Sequence, residues 1–113
     1  MNIMGRVYQL DTLKDFNDTI KQFDICVVDF TAKWCGPCQK IAPLYEEMSQ
    51  KAMFKSVGFF KVDIDVNTEA SEQQNIECMP TFQIFNKSEK VHEVKGCNIT
   101  EVSKHLESLV SLR

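Results

Sequence analysis

The chain has 113 residues, 43% of them apolar, with a net charge of −3 and a pI near 5.3. That much apolar side chain suits one domain with a buried core and excludes a disordered polymer. The acidic balance provides no basic field for nucleic acid, and no apolar run approaches the roughly 20 residues of a membrane-spanning helix.

Met1 to Arg6 has neither the basic-then-apolar pattern of a secretory signal nor the Arg and Ser richness of a transit peptide, so the chain reads as cytosolic. Val7, Tyr8 and Leu10 suggest a short strand, and Asp11 offers an N-cap to a helix striped by Leu13, Phe16, Ile20 and Phe23. Ile25 to Thr31 is a nearly continuous β-branched run, the pattern of a strand buried on both faces. Trp34-Cys35-Gly36-Pro37-Cys38 follows, then a helical pattern through Ile41, Leu44, Tyr45 and Met48 that is expected to reach Met53 and to kink near Pro43.

A longer loop is expected between Lys51 and Phe59, with a third strand over Val57 to Ile64. Asp65 to Gln74 predicts a short helix starting near Asn67 or Thr68. Thr81 to Phe85 and Lys90 to Val94 predict a hairpin with a four-residue turn. Gly96 ends that strand. Asn98 and Glu101 have capping-box spacing before a last amphipathic helix marked by Ile99, Val102, Leu106 and Leu109. The order βαβαβαββα predicts an α/β fold, with parallel strands in the alternating portion and an antiparallel hairpin at one edge. Sites in such sheets form beyond the carboxyl ends of the strands, which is where Cys35 falls.

Two cysteines three apart at a strand-to-helix junction suit thiol–disulfide exchange. Cys35, nearer the helix N-terminus, has the better stabilised thiolate and the greater expected exposure, so it is the candidate nucleophile; Cys38, one turn on, is the candidate resolving thiol. The competing reading is half a zinc site. Cys78 and Cys97 are too far apart in sequence to supply the usual second pair, so no metal is expected. Five cysteines cannot all pair within one chain, which favours a reducing compartment and a transient disulfide over a structural framework.

Asp29 is a carboxylate inside an apolar strand; burial raises its pKa and makes proton exchange near neutral pH accessible, unless it faces solvent at a sheet edge. Cys26 reads as an inert core thiol. His92 and His105 lie far from the motif and are expected to face solvent.

Four features together resemble the thioredoxin family: Trp34-Cys35-Gly36-Pro37-Cys38, the acid in Val28-Asp29-Phe30, Met79-Pro80-Thr81, and Gly96 after the last strand. Cys78 and the run Lys61 to Asp65 are most similar to animal-type cytosolic members. The resemblance implies a single thioredoxin-fold domain over 1–113, with a central five-stranded mixed sheet flanked by four helices. It implies a protein disulfide reductase that acts on disulfide-containing proteins and is recycled by an NADPH-dependent thioredoxin reductase. No cofactor is expected on this chain, which shows no Gly-rich dinucleotide fingerprint. Gly36 and Pro37 go with a reductant in the family.

The family match further implies that Asp29 helps deprotonate Cys38 through water, with Lys61 in the adjacent strand as its candidate partner or else a surface lysine. Pro80 is implied to be a cis-proline that exposes the backbone of Met79 to a substrate peptide. Trp34, Met79, Gly96 and Cys97 are implied to form an apolar rim around Cys35, and Trp34, Met79, Pro80 and Gly96 to bind substrate. Cys78 is the regulatory candidate, through which a monomeric protein becomes a linked homodimer on oxidation. The cytoplasm is the implied location, with the nucleus also open to it. Lys33 departs from the small or neutral residue usual before the Trp. The alternative function is a non-catalytic binding module of the same fold; an oxidase or isomerase is disfavoured by Gly36-Pro37.

Overall fold

In the computed structural model, which describes residues 5–112, the chain runs β1 Val7–Gln9, α1 Leu13–Gln22, β2 Ile25–Thr31, α2 Gly36–Ser49, β3 Gly58–Asp63, α3 Thr68–Gln73, β4 Thr81–Asn86, β5 Glu89–Lys95 and α4 Ile99–Ser111. Met1 to Met4, read above as carrying no targeting signal, and Arg113 lie outside the described residues. The five strands form one mixed sheet in the order β1-β3-β2-β4-β5. β1, β3 and β2 are parallel, while β4 runs antiparallel to β2 and β5 antiparallel to β4. The topology is the one the alternation of elements predicts, with four helices flanking five strands.

β2 is central, and its side chains alternate between two cores. Ile25 and Val27 pack with Ile41, Tyr45 and Met48 of α2 and with Val102 and Leu106 of α4. Cys26, Val28 and Phe30 pack with Phe16 of α1, Ala70 of α3 and Phe60 and Phe85 of the sheet. Burial of the whole strand on both faces is why it reads as a continuous apolar run rather than an alternating one.

Several local expectations are corrected. Thr12, not Asp11, caps α1, because its hydroxyl accepts the Asp15 N–H at 3.0 Å while Asp11 is engaged by the Gln9 amide. α2 stops at Ser49 instead of Met53, and the expected longer loop contains a single 3-10 turn, Ala52–Phe54, that inserts Phe54 into the core. Pro43 does sit inside α2. Leu44, expected on the apolar stripe, is 49% exposed.

The hairpin turn has two residues rather than four. Lys87 and Ser88 both take positive φ, at 51° and 73°, as a type I′ turn requires. The register shifts between Ile84–His92 and Phe85–Lys90, so β5 carries Val91 as an extra residue. His92 and His105 do not point freely into solvent; they are half-buried and stack at 3.8 Å between β5 and α4. Asn98 caps α4 as expected, accepting the Glu101 N–H while its own amide donates to the Glu101 carboxylate.

Candidate active site

Beyond the end of β2, the loop Ala32 to Trp34 leads directly into α2. The Ala32 carbonyl accepts both the Cys35 N–H at 3.2 Å and the Gln39 amide at 3.0 Å, which ties the loop to the first helical turn. Cys35 is the N-cap. Its sulfur accepts the Cys38 N–H at 3.2 Å, taking the place that a Ser or Asp oxygen fills in an ordinary cap. Gly36 and Pro37 follow as the first two helical residues, where the N–H that proline lacks has no helical partner to lose.

Cys35 and Cys38 are joined in a disulfide with their Cα atoms 5.3 Å apart. Cys35 is 7% exposed and Cys38 1%, so Cys38 is the more buried as expected, while Cys35 is more shielded than expected in this state. A thiolate at Cys35 has backbone N–H donors and the positive end of the α2 dipole against it.

The other elements converge on this pair. The Met79–Pro80 bond is cis, and the Met79 carbonyl lies 3.7 Å from the Cys35 sulfur. Half-buried Met79 and Ile64 pack on the two cysteines and Ala32. Gly96 donates its N–H to the Pro80 carbonyl at 2.8 Å with φ at +88°, a backbone angle that L side chains rarely adopt. Trp34 is 67% exposed, and its indole N–H donates to the Asp65 carboxylate at 2.9 Å, so the exposed ring is held in place. Cys97 is exposed, with its thiol 3.5 Å from the Pro37 carbonyl. Cys78 is an exposed free thiol beside the Thr81 hydroxyl.

Asp29 projects from β2 toward α2. It is 3% exposed, and its Oδ1 is buried with no hydrogen-bond partner among the described residues. Burial pushes its pKa up to about 7, opposed only in part by the charge of Lys61. Lys61 is the register partner of Asp29 across the β2–β3 ladder and is exposed; among the described residues no ion pair joins the two.

Asp29 lines a cavity of about 250 Å³ that Lys33, Gln39, Ala42, Tyr45 and Lys61 also border. Gln39 and Ala42 follow Cys38 by one residue and by one helical turn, so the acid lies under the part of α2 that carries Cys38. Burial pushes the Cys26 thiol up to about 12.

Three participants escaped sequence reasoning: Asp65 holding Trp34, Gln39 clamping Ala32, and Tyr45 on the Asp29 cavity. Only Asp65 had a readable cue, since the loop after a parallel β3 must emerge beside the loop after β2.

The thioredoxin family model matches residues 7–108. A thioredoxin of Coprinus comatus is 39% identical over 92% of this chain and 94% of its own length. The human thioredoxin is 40% identical over 76% of this chain and 80% of its own. Among solved structures, Schistosoma mansoni thioredoxin superposes with a TM-score of 0.84 at 37% identity, covering 93% of this chain and 96% of that one.

Proposed function

From the premise that the chain belongs to the thioredoxin family and is a thiol–disulfide oxidoreductase, we propose that it is a general reductant of protein disulfides with Cys35 as nucleophile. The observation that carries this reading is Cys35 at the N-cap of α2, its sulfur already accepting the Cys38 N–H. The Cys35 thiolate attacks one sulfur of a substrate disulfide; a Cys35–substrate bond forms and the other substrate sulfur leaves as thiolate. Cys38 gives its proton toward Asp29 and attacks Cys35. The intramolecular disulfide closes and the second substrate thiolate is released. Two electrons have passed to the substrate, and a thioredoxin reductase returns them from NADPH.

The remaining assignments belong to the same reading. Trp34, Met79, Pro80 and Gly96 receive an extended substrate segment, supported by the exposed indole and by the Met79 carbonyl beside Cys35. Lys61 is placed near Asp29 by register and opposes its protonation. Residues 1–113 act as one domain. Cys78, exposed and unpaired, links two otherwise monomeric chains under oxidation. Three cysteines outside the redox pair remain free, which suits a reducing compartment, the cytoplasm with the nucleus also open to it. No helix among the described residues is long and apolar enough to cross a membrane.

Insulin reduction coupled to NADPH and thioredoxin reductase tests the function. Wild type should turn over and Cys35→Ser should not. A wild type without turnover would leave only a binding module of this fold. Cys38→Ser should accumulate mixed disulfides with oxidised protein substrates, and the absence of adducts would overturn the division of roles.

A further inference from the structure

Tyr45 is a core residue by its burial, at 2% exposed, yet it also borders the cavity that holds Asp29. Cys38, Ala42 and Tyr45 stand at i, i+4 and i+7 on α2, one face of the helix laid over β2. The Tyr45 hydroxyl donates to the Phe60 carbonyl at 2.8 Å and lies 3.1 Å from the Val27 carbonyl. Those carbonyls belong to the two strands whose next ladder step pairs Asp29 with Lys61. The ring is wedged against Phe59 and Phe82, with centroids 5.5 and 5.4 Å away, so the hydroxyl is held over this seam.

A phenol has one hydrogen, and here the strand carbonyls take it. Its oxygen lone pairs are left for a donor. The Oδ1 of Asp29, which lines the same cavity, has no donor among the described residues. The cavity is bordered by Lys33, Gln39, Glu46, Lys61 and Asp63 and is large enough for water, and a water between the two groups can give one hydrogen to the phenol oxygen and the other to the carboxylate.

We propose that Tyr45 is a positioning residue for the resolving step: its phenol oxygen orients the water through which Asp29 exchanges a proton with Cys38. This rests on the reading of Asp29 given above. The phenol remains neutral in this role, since burial first, and the Asp29 charge second, push its pKa well above the ordinary value. The other charged groups on the cavity are Lys33 from the loop after β2, Glu46 from α2, and Lys61 and Asp63 from β3. The two lysines favour the Asp29 anion and the two acids oppose it; Tyr45→Phe leaves all four in place.

The experiment follows the Asp29 carboxyl by carbon-13 NMR in the oxidised protein, wild type against Tyr45→Phe, with near-UV circular dichroism to show that the variant is folded. The expected result is a midpoint raised by roughly half to one pH unit, because the anion loses an oriented donor. Resolution of a preformed Cys35 mixed disulfide should then slow about two- to five-fold at pH 7, following the smaller carboxylate fraction. In an Asp29→Asn background the Tyr45→Phe change should leave the pH profile alone. A lower melting temperature with an unmoved or lowered Asp29 midpoint would make Tyr45 a strand clip only and overturn the proposal. A wild-type midpoint near the ordinary carboxylate value would overturn the reading of Asp29 itself, and this proposal with it.

Discussion

On one face of β2, Cys26, Val28 and Phe30 meet α1 and α3 in a core closed by Phe16, whose ring lies 6.0 Å from Phe30 and 5.8 Å from Phe85. On the other face, Ile25 and Val27 pack as tightly against α2 and α4, but the next residue on that side, Asp29, meets a cavity. Cys26 and Asp29 are both buried, at 0% and 3% exposed, and burial raises the pKa of each. The outcomes differ because the starting values differ. The thiol is carried out of the working range, to about 12, while the carboxyl is carried into it, to about 7. Desolvation therefore silences one group and brings the other into the range where it can exchange a proton near neutral pH, and of the two Asp29 is the one with a cavity beside it.

The contrast breaks hardest on the closed face. Phe16→Ala removes a fully buried ring that touches two others and should cost about 3–5 kcal/mol in denaturant unfolding. If the faces are independent, the Asp29 titration midpoint of the folded variant stays where it was, since Phe16 lies across the sheet from the cavity.

Asp29→Asn should act in the opposite direction on stability. The folded pKa is about 7 against an ordinary 3.8, so at low pH both states hold the proton. As pH rises from about 4 to 7, the unfolded chain releases it while the folded protein keeps it, and stability falls. The loss is complete above about pH 7 and amounts to up to about 4 kcal/mol. The asparagine variant should lack this slope and be the more stable protein at pH 8, measured by urea midpoints across pH 4–8. It should also resolve mixed disulfides more slowly. A wild-type stability that is flat over this range would contradict the raised pKa.

The sequence showed the elements better than it showed which face each residue takes. β2 was legible as a doubly buried strand, and alternation sends Cys26 and Asp29, three apart, to opposite faces; but full burial erases the period-two pattern, so nothing in Ile25 to Thr31 told which of the two faces α2 and its cavity. The redox pair was legible because its spacing and its helix start are local. The Asp29 cavity was not, since α2, β2 and β3 build it jointly; Tyr45 finds its acceptors at Val27 and Phe60, 18 and 15 residues away. Its place in the stripe Ile41, Leu44, Tyr45, Met48 made it look like another apolar residue. The hairpin was misjudged for a different reason. Lys87-Ser88 has no Gly or Asn to mark the positive φ angles, and the extra residue Val91 hides the true register from any count of strand lengths.

The smallest effect is on Cys26, and it separates burial from reactivity. In the oxidised protein the free thiols are Cys26, Cys78 and Cys97, of which only the last two are exposed. Iodoacetamide at pH 8 should therefore label two thiols promptly, with the third appearing only on unfolding. The rise of the Cys26 pKa from 9.0 to about 12 alone lowers its thiolate fraction by roughly a thousand-fold, before access is counted. Cys26→Ala should barely change reductase turnover, because the thiol faces away from the Asp29 cavity, and should lower stability by only about 1 kcal/mol. Mass spectrometry of the labelled chain checks the count. Prompt labelling at Cys26 would mean that the closed face opens on the timescale of the reagent, and the difference between the two faces would then lie in dynamics rather than in the packing of β2.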